Sequence, residues 1–285
     1  MYLIDGKKIA KKIEEEIRQK SNPSSLLPLV KGRKGGVGGL AAILVGDNPA
    51  SRLYVSLKEK AAKRVGIKFE KIIYPVTSTP SNSPLARGRT ARLEKQIINK
   101  IKQLNARRDI TGIIVQLPLP KNLNTDKIIA AIKPEKDADG FHPQNQKSAI
   151  SPVLQAAVRI IKTLKNKNIK TRERKIVLVS NSKIFPIPFQ SYFGKNLMVC
   201  KFKDIKKYLP SADIIITAVG KKHYLKGEMV KSGAVIIDIG IARVGHHVYG
   251  DADPKSLAKK RGHLTPVPGG VGPVTVACLL LNTVK

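Results

Sequence analysis

The sequence predicts an α/β protein with parallel sheets and helices on both faces. Runs of apolar residues such as "LAAILVG" at 40–46 and "IVLV" at 176–179 are typical of buried strands. Segments with helical periodicity alternate with these runs, as in "GKKIAKKIEEEIRQK", where Ile9, Ile13 and Ile17 lie four residues apart. This alternation continues along most of the 285 residues, which is enough chain for two domains.

The predicted elements follow one another in a regular order. Strands are predicted at 40–46, 69–76, 111–120, 176–179, 213–219 and 234–240, and helices at 6–20, 51–66, 93–107, 124–133, 153–165 and 273–284. The second helix has Ser51 as a candidate N-cap and ends at Gly66. Two segments rich in Ser, Pro, Gly and Arg, at 21–39 and 78–90, are typical of surface insertions. A change of pattern near 140–150 predicts a domain boundary there.

The charge is strongly basic, with 53 Lys and Arg against 20 Asp and Glu, a formal net charge of +33. Such a surface attracts anions, nucleic acid included. The basic residues are spread along the chain, and the densest run, 161–175, is typical of a solvated helix followed by a loop. Aromatic residues make up only 5% and Trp is absent, so aromatic stacking platforms among the basic residues are missing. We expect no specific nucleic-acid partner; a basic nucleic-acid-binding α/β protein remains a distant alternative.

Other features argue against several protein classes. The longest apolar runs are far shorter than a membrane span, and the N-terminus lacks the pattern of a secretory signal. Cys200 and Cys278 have no metal-ligand spacing around them, so we expect neither a disulfide scaffold nor a metal site. We therefore expect a cytoplasmic protein with no membrane partner.

Two segments carry residues suited to proton transfer. In "GDNPASRLYVSLKEKAAKRVGI", Tyr54 and Lys58 are four residues apart and share one helix face, so an aromatic plate lies beside an amine. In "TGIIVQLPLP", Gln116 interrupts an apolar strand at its carboxyl end, where α/β active sites form. A solvent-exposed lysine and an edge glutamine are the structural alternatives at these two positions.

Two further segments suit ligand binding. In "PEKDADGFHP", Asp137 and Asp139 flank Ala138, and these carboxylates could hold a metal or a guanidine-like ring; an Asx turn is the alternative. In "TPVPGGVGPVT", three glycines and three prolines lead into the last helix. Glycine lets the flat face of a ligand meet the backbone directly, so this loop predicts a binding role.

Taken in order, these four segments resemble the signature segments of the bifunctional methylenetetrahydrofolate dehydrogenase/methenyltetrahydrofolate cyclohydrolase family. "MVKSGAVIIDIGI" and "YGDAD" are similar to the family's late Rossmann strand and its following turn, so the likeness spans nearly the whole chain. The resemblance implies a folate-binding catalytic α/β domain at 1–145 plus 268–285 and a Rossmann-type domain at 146–267. It also implies an active site in the cleft between the two domains, and a homodimer.

The resemblance implies oxidation of 5,10-methylenetetrahydrofolate with NADP, followed by hydrolysis to 10-formyltetrahydrofolate. Lys58 would be the catalytic lysine, Gln116 would hydrogen-bond and tune it, and Asp139 would hold the amino-pyrimidine edge of the pterin. Tyr54 would stack on the p-aminobenzoyl ring of the folate. The remaining folate contacts implied by the resemblance are Val55, Val115, Leu117, Pro268, Gly269 and Gly272.

The stretch "KIVLVSNSKIFPIP" departs from the family pattern. The family has "GRSxxVGxP" after its first Rossmann strand, whereas this chain has Ser180 for the first glycine, Asn181 for the arginine and Pro186 for the second glycine. Ser182 and Pro188 match, and the following helix is expected to be several residues short. Upstream, "SPVL" at 151–154 stands in place of "TPxG". The candidate cofactor contacts are Ser180, Asn181, Ser182 and Ile241.

Three interpretations of this stretch stay open. The enzyme binds NADP or NAD in an altered way, or it has lost the dehydrogenase step and binds neither, or it is a folate-binding remnant. Glycine is missing where a pyrophosphate would approach, and Asn181 carries no charge for a 2′-phosphate. The sequence therefore predicts weak dinucleotide binding, little preference for NADP over NAD, and dehydrogenase activity that is low relative to cyclohydrolase activity.

Overall fold

The structure is a computed structural model that describes residues 1–21, 38–75, 84–148, 150–164 and 174–284. The chain divides into two compact units. One unit contains Met1–Lys12, Lys147–Ala149 and Val153–Cys278, and the other contains Ile13–Gln146, Ile150–Pro152 and Leu279–Lys285. The domain limits expected from the sequence, 1–145 plus 268–285 and 146–267, stay a prediction.

Helices and strands alternate as the sequence predicts. The helices are α1 Gly6–Ser21, α2 Pro49–Arg64, α3 Pro84–Ala106, α4 Thr125–Ala130, α5 Pro152–Thr163, α6 Ile187–Phe193, α7 Ile205–Tyr208, α8 Pro254–Leu257 and α9 Val271–Leu281. The strands are β1 Tyr2–Leu3, β2 Gly39–Val45, β3 Lys68–Tyr74, β4 Ile110–Val115, β5 Ile176–Val179, β6 Leu197–Cys200, β7 Ile214–Thr217, β8 Val235–Asp238, β9 Ala242–Val244, β10 His247–Tyr249 and β11 His263–Leu264.

The unit that contains α2 is built on a parallel sheet of order β3-β2-β4. All seven residues of the central strand β2 are buried, which explains its continuous apolar run. Helix α3 presents Ile97, Ile101 and Leu104 to the core that covers β2 and β4. The core therefore fixes the carboxyl end of β4, where Gln116 follows.

The other unit contains a six-stranded parallel sheet of order β1-β11-β8-β7-β5-β6, together with an antiparallel pair of β9 and β10. The chain forms β5, then β6, then β7, yet β5 lies between the other two. The strand order therefore reverses between β5 and β7, whose last residues Val179 and Thr217 are paired. Ligands of open α/β sheets bind outside the carboxyl ends of the strands at such a reversal.

The predicted fold class is confirmed, and several element boundaries differ from the predictions. Asn48, not Ser51, caps α2: its Oδ1 accepts hydrogen bonds from the backbone N–H groups of Ala50 and Ser51. Helix α3 begins at Pro84, so the predicted insertion 78–90 is helical over its last residues. Strands β1, β6, β9, β10 and β11 were not predicted, because two to four residues are too few to show a periodicity.

Parts of three predicted segments lie outside the described residues. They are 22–37 of the insertion at 21–39, 76–83 around the start of the insertion at 78–90, and 165–173 of the basic run at 161–175. Among the residues that the structure describes, no helix is both long enough and apolar enough to cross a membrane.

Candidate active site

Helix α2 presents Tyr54 and Lys58 on one face. Asn48 and Pro49 begin the helix and Gly66, with a φ of 75°, follows its C-cap, so its length is set at both ends. Both side chains are partly buried, and Val55, on the inner side of the helix, is 1% exposed. The Lys58 side chain is only 12% exposed, which distinguishes it from the solvated lysines elsewhere on this chain.

Gln116 directly follows β4, as predicted. Its backbone N–H donates to the carbonyl of Ile43 at 2.9 Å, which extends the pairing of β2 and β4 by one residue. Its side-chain Nε2 donates to the carbonyl of Leu117 at 2.8 Å, so the amide is oriented with Oε1 free to accept. Of its two neighbours, Val115 is buried and Leu117 is half-buried.

The two aspartates of the third segment have different surroundings. Asp137 is buried and accepts hydrogen bonds from the backbone N–H of Gly140 at 3.0 Å, the backbone N–H of His142 at 2.8 Å and the Asn145 amide at 3.1 Å. It therefore forms the Asx-type turn that the sequence offered as an alternative. Asp139 makes none of these turn contacts and instead faces Lys58.

Lys58 joins the three predicted catalytic residues. Its Nζ donates to Gln116 Oε1 at 3.2 Å and lies 3.6 Å from Asp139 Oδ2. The structure thus brings together side chains from α2, from the end of β4 and from the turn after Pro134–Lys136. An ammonium held between an amide oxygen and a carboxylate is positioned to exchange protons with a ligand.

Burial changes the acidity of this group. Desolvation raises the pKa of the Asp139 carboxyl, the Lys58 charge opposes that shift, and the charge of Asp137 adds to it. Because the desolvation is the largest effect, Asp139 holds its proton more tightly than an exposed aspartate does. A carboxyl of this kind can present either an acceptor or a donor to a ligand near it.

Pro268, Gly269 and Gly272 belong to the other compact unit, in the segment that leads into α9. Gly269 has a φ of 105°, a conformation that favours glycine, and Gly272 has open space where a side chain would stand. These features suit a backbone surface that a flat ligand approaches. Their folate role stays a prediction.

The stretch after β5 folds onto itself. Ser180 is buried and its Oγ accepts the N–H of Ser182 at 3.2 Å, and Ser182 Oγ accepts the N–H groups of Ile184 at 3.3 Å and Phe185 at 3.1 Å. Asn181 Oδ1 accepts the N–H of Phe202, the second residue after β6, at 3.2 Å. The three predicted cofactor contacts of this turn therefore use their side chains to order the turn. Helix α6, which follows, has seven residues, so the helix is short, as predicted.

Ile241, the fourth predicted cofactor contact, lies between β8 and β9 and is 43% exposed. A Cβ added to Gly220 would lie 3.4 Å from the Ile241 carbonyl oxygen. Ile241 is therefore adjacent to the loop after β7, on the same side of the sheet as the reversal between β5 and β7.

Two buried carboxylates at this edge of the sheet were missed by the sequence reasoning. Asp251 accepts hydrogen bonds from Thr217 Oγ1 at 2.6 Å and from the N–H groups of Val219 and Lys221 at 2.8 Å each. Asp238 accepts from the N–H groups of Gly240 at 3.0 Å and Ala252 at 2.8 Å. The segments "DIG" and "GDAD" carried a signal, because aspartates beside glycines mark positions where a carboxylate packs against backbone.

The two carboxylates affect each other. Burial raises the pKa of Asp238 to about 7, and the nearby charge of Asp251 adds to the rise. Gly240 stands where a Cβ would collide with Asp251, and Gly250 stands where a Cβ would collide with Asp238. Among the described residues, no group of three or more His, Cys, Asp or Glu side chains could hold a metal ion.

Family models match both halves of the chain. Residues 4–139 match the model described as tetrahydrofolate dehydrogenase/cyclohydrolase, catalytic domain. Residues 155–285 match the model described as tetrahydrofolate dehydrogenase/cyclohydrolase, NAD(P)-binding domain. The two matches together cover nearly all of the chain.

Individual proteins agree with these matches. The chain is 41% identical over 289 residues to the bifunctional protein FolD of Methanosarcina barkeri, covering 98% of this chain and 93% of the relative. The structure is similar to that of the bifunctional enzyme FolD from Campylobacter jejuni, with a TM-score of 0.84, 34% identity and coverage of 100% and 98%. It is also similar to the FolD enzyme of Trypanosoma brucei, solved with NADP cofactor and an inhibitor, with a TM-score of 0.80, 27% identity and coverage of 99% and 95%.

Proposed function

Because this chain belongs to the tetrahydrofolate dehydrogenase/cyclohydrolase family, we propose that it interconverts folate one-carbon units by two reactions. The first is oxidation of 5,10-methylenetetrahydrofolate to 5,10-methenyltetrahydrofolate with NADP. The second is hydrolysis of the methenyl product to 10-formyltetrahydrofolate. The family resemblance read from the sequence is confirmed, and the activities are those of the family.

The observation that carries this proposal is the group formed by Lys58, Gln116 and Asp139. The family membership supplies the reaction, and the geometry supplies an amine within 3.2 Å of an amide oxygen and 3.6 Å of a carboxylate. Each of the three comes from a different element, so their convergence is a property of the fold. We propose that these three residues are the catalytic group.

The residue types suit the hydrolysis. Water adds to the bridging carbon of the methenyl cation, the bond from that carbon to N5 breaks, and a proton is released. Lys58 Nζ can take the proton of the attacking water and return one to N5, while Gln116 Oε1 keeps the amine oriented. Asp139 can accept hydrogen bonds from the amino-pyrimidine edge of the pterin, which fixes the bridging carbon relative to the amine.

Tyr54 supports the same placement of the substrate. It lies one helical turn before Lys58 on α2 and is partly buried, so one ring face can stack against the p-aminobenzoyl group of the folate. Val55, Val115 and Leu117 pack beneath this group of side chains, and Pro268, Gly269 and Gly272 would complete the folate contacts. These roles rest on the family pattern and on the burial of each side chain.

NADP, when bound, accepts the hydride from the bridging carbon. The residues present fit a dinucleotide at the reversal between β5 and β7, because both strand ends and the Ile241 segment face the same edge of the sheet. The support for NADP is the match to an NAD(P)-binding domain and the Trypanosoma brucei relative, which was solved with NADP. Ser180, Asn181 and Ser182 contribute by ordering the turn that the nucleotide would meet.

The test is to supply the purified protein with 5,10-methylenetetrahydrofolate and NADP and to identify the folate products by chromatography. The proposal predicts NADPH formation and accumulation of 10-formyltetrahydrofolate. Hydrolysis of added methenyltetrahydrofolate without NADPH formation would restrict the protein to the cyclohydrolase half. Folate binding without either reaction would identify a binding remnant, and a salt-sensitive DNA gel shift without folate binding would identify a nucleic-acid-binding protein.

We further propose that the protein is a homodimer that pairs through the face containing β3. This strand is at the edge of its sheet, so one row of backbone groups has no strand beside it among the described residues. Ile73 on β3 and Leu53 and Leu57 on α2 are each more than 40% exposed. A second copy would cover these apolar side chains.

Light scattering coupled to size-exclusion chromatography tests the dimer. The parent protein is expected to have the mass of two chains, and Ile73→Glu is expected to shift it to one. Val244→Glu is a matched control, because Val244 is exposed to a similar extent but lies on β9 in the other unit. A monomeric parent, or equal dissociation by both substitutions, would contradict the proposal.

The cytoplasm is the proposed location. Cys200 and Cys278 are both buried and unpaired with each other, which suits a reducing compartment. Cell fractionation followed by immunoblotting would locate the protein, and recovery in a membrane or secreted fraction would contradict this location.

A further inference from the structure

The cofactor half of this chain lacks the arginine that the sequence comparison leads one to seek on the first Rossmann turn. Asn181 stands there, and its side chain is engaged with the backbone N–H of Phe202. An uncharged amide that already serves the loop after β6 offers little to a phosphate dianion. The selectivity for NADP over NAD therefore has to come from another residue.

The loops after β5, β6 and β7 meet at Phe202. Asn181, from the loop after β5, accepts a hydrogen bond from the Phe202 N–H, and Lys221, from the loop after β7, places its Nζ 4.4 Å from the centroid of the Phe202 ring. The Phe202 ring is itself held edge-on against the buried Tyr224, with ring centroids 4.9 Å apart. A single cation is thus directed from the β7 loop to the loop after β6, across the end of β5.

The backbone of Lys221 is held in place. Its N–H donates to Asp251 Oδ1 at 2.8 Å, while Asp251 Oδ2 accepts from Val219 N–H and from Thr217 Oγ1. Asp251 is fully buried, so the whole start of the loop is anchored to the core. The contact with the aromatic face limits the lysine side chain as well. Lys221 is therefore better ordered than a free surface lysine, which lowers the entropic cost of holding a ligand.

The end of β6 is where Rossmann sites distinguish the two nucleotides. An acidic residue about 20 positions after the first turn accepts a hydrogen bond from the ribose 2′-hydroxyl in NAD sites, and a basic residue near it accommodates the 2′-phosphate in NADP sites. Counting from Ser180 leads to Cys200, the last residue of β6, which is buried and whose pKa is raised to about 11 by burial, so it carries no charge. The next residues include the exposed Lys201 and Lys203; the first acidic residue is Asp204.

We propose that Lys221 is the residue that recognises the 2′-phosphate of NADP, with Lys201 and Lys203 as neighbouring cations. The proposal rests on the use of NADP argued above and names the residue that makes the choice between NADP and NAD. In this arrangement the 2′-phosphate is bound from the β7 side rather than by the first Rossmann turn. The choice of nucleotide is then made by a residue that no reading of the turn at 180–188 would identify.

The test uses fragments of the cofactor, so that it does not depend on turnover. Adenosine 2′,5′-bisphosphate carries the 2′-phosphate and adenosine 5′-monophosphate does not, and calorimetry measures the affinity of each. The titrations are made at about 0.15 M salt, where exposed charges more than about 8 Å apart are largely screened. The parent protein is expected to bind the bisphosphate more tightly than the monophosphate.

Lys221→Ala is compared with Lys222→Ala as the matched control. Lys222 is the neighbouring residue, has the same charge, and also lies over an aromatic ring, with its Nζ 3.7 Å from the Tyr249 centroid. Lys221→Ala is expected to weaken the bisphosphate about tenfold or more, as for loss of a charged hydrogen bond, and to leave the monophosphate unchanged. Lys222→Ala is expected to change neither affinity.

Equal losses from the two substitutions would overturn the proposal, because they would show a general effect of positive charge. An equal loss for both fragments in Lys221→Ala would also overturn it, since the 2′-phosphate would then not be the group recognised. If the parent protein binds neither fragment, the proposal fails, whereas hydrolysis of methenyltetrahydrofolate, measured on the same preparation, reports separately on the folate chemistry.

Discussion

Asp137 and Asp139 are two positions apart and do different work. Asp139→Ala removes the carboxylate proposed to hold the pterin, so folate affinity is expected to fall by about 1.5–3 kcal/mol, with little change in the melting temperature. Asp137→Ala leaves three donors without their buried acceptor and is expected to lower the free energy of unfolding by about 2–3 kcal/mol.

Calorimetric titration with a folate ligand and thermal unfolding, made on both variants, separate the two roles. Unchanged folate affinity in Asp139→Ala would return this residue to the same structural role as its neighbour. A stable Asp137→Ala variant with lost affinity would reverse the assignment.

Asp238 is expected to make stability depend on pH in an unusual direction. Its pKa is raised to about 7 in the folded protein, against an ordinary value of about 3.9 in the unfolded chain. Between these values the folded state binds a proton that the unfolded state has released, so the free energy of unfolding falls as pH rises from about 4 to about 7. Above that window the contribution is constant.

The measurement is the melting temperature from pH 5 to pH 8 in the parent and in Asp238→Asn. The asparagine cannot accept from both Gly240 and Ala252, so its melting temperature is expected to be lower at every pH. The informative quantity is the slope, which is expected to be shallower in the variant because the titrating group is gone. Parallel curves for the two proteins would contradict the raised pKa.

The catalytic residues were largely predictable from the sequence. Tyr54 and Lys58 share a helical spacing, and Gln116 is a polar residue at the end of an apolar strand, so each stands out locally. Asp251 and Lys221 could not be found in this way. Their importance depends on contacts between residues 30 or more positions apart, as between Asp251 and Lys221, or on rings brought together by the sheet.

At the scale of the element, helix α2 positions two of the proposed site residues, so its N-terminus is a sensitive place. Asn48 Oδ1 accepts from the N–H groups of Ala50 and Ser51 at 2.9 and 3.3 Å, whereas the buried Ser51 hydroxyl has no hydrogen-bond partner in the described structure. Asn48→Ala is expected to lower the free energy of unfolding by about 1 kcal/mol.

Ser51→Ala is the matched control for the cap. It removes a buried hydroxyl that makes no bond, so its stability is expected to equal or exceed that of the parent. Urea unfolding of the two variants measures the difference. A larger loss in Ser51→Ala than in Asn48→Ala would restore Ser51 as the cap and contradict the structure.

The turn after β5 shows what the sequence could and could not indicate at this scale. Its lack of glycine and the shortness of α6 were predicted from the family pattern. The self-contained hydrogen bonding of Ser180 and Ser182 was not, because a serine in a loop can face either its own backbone or a ligand. The prediction of little preference for NADP considered position 181 alone, and the arrangement around Phe202 adds Lys221 to that consideration.

At the scale of the whole molecule, basic residues greatly outnumber acidic ones, and single carboxylates serve two cations each. Glu70 pairs with Lys100 and Arg107, and Asp213 pairs with Arg174 and Lys231. The remaining basic side chains make the surface attractive to phosphates in general, an attraction that salt screens. For this reason, evidence for a specific nucleotide site has to come from fragments that differ by one phosphate, as in the comparison of Lys221 with Lys222.

The fold class and the family were predictable because apolar runs and signature segments extend along the whole chain. The order of the strands was not, since β6 and β11 are too short to show a pattern and parallel pairing joins strands that are distant in sequence. The position of the reversal between β5 and β7, which locates the cofactor, is a result of that order.

The central claim is that Lys58 performs the hydrolysis while the surrounding side chains hold the folate. The most direct test measures the hydrolysis of methenyltetrahydrofolate and the binding of a folate ligand in the parent, in Lys58→Met and in Lys60→Met. Lys60 is an exposed lysine on the same helix and serves as the control. We predict that Lys58→Met lowers the rate to that of the uncatalysed reaction while folate still binds, and that Lys60→Met behaves as the parent does. A Lys58→Met protein that hydrolyses methenyltetrahydrofolate at near the parent rate would contradict the account.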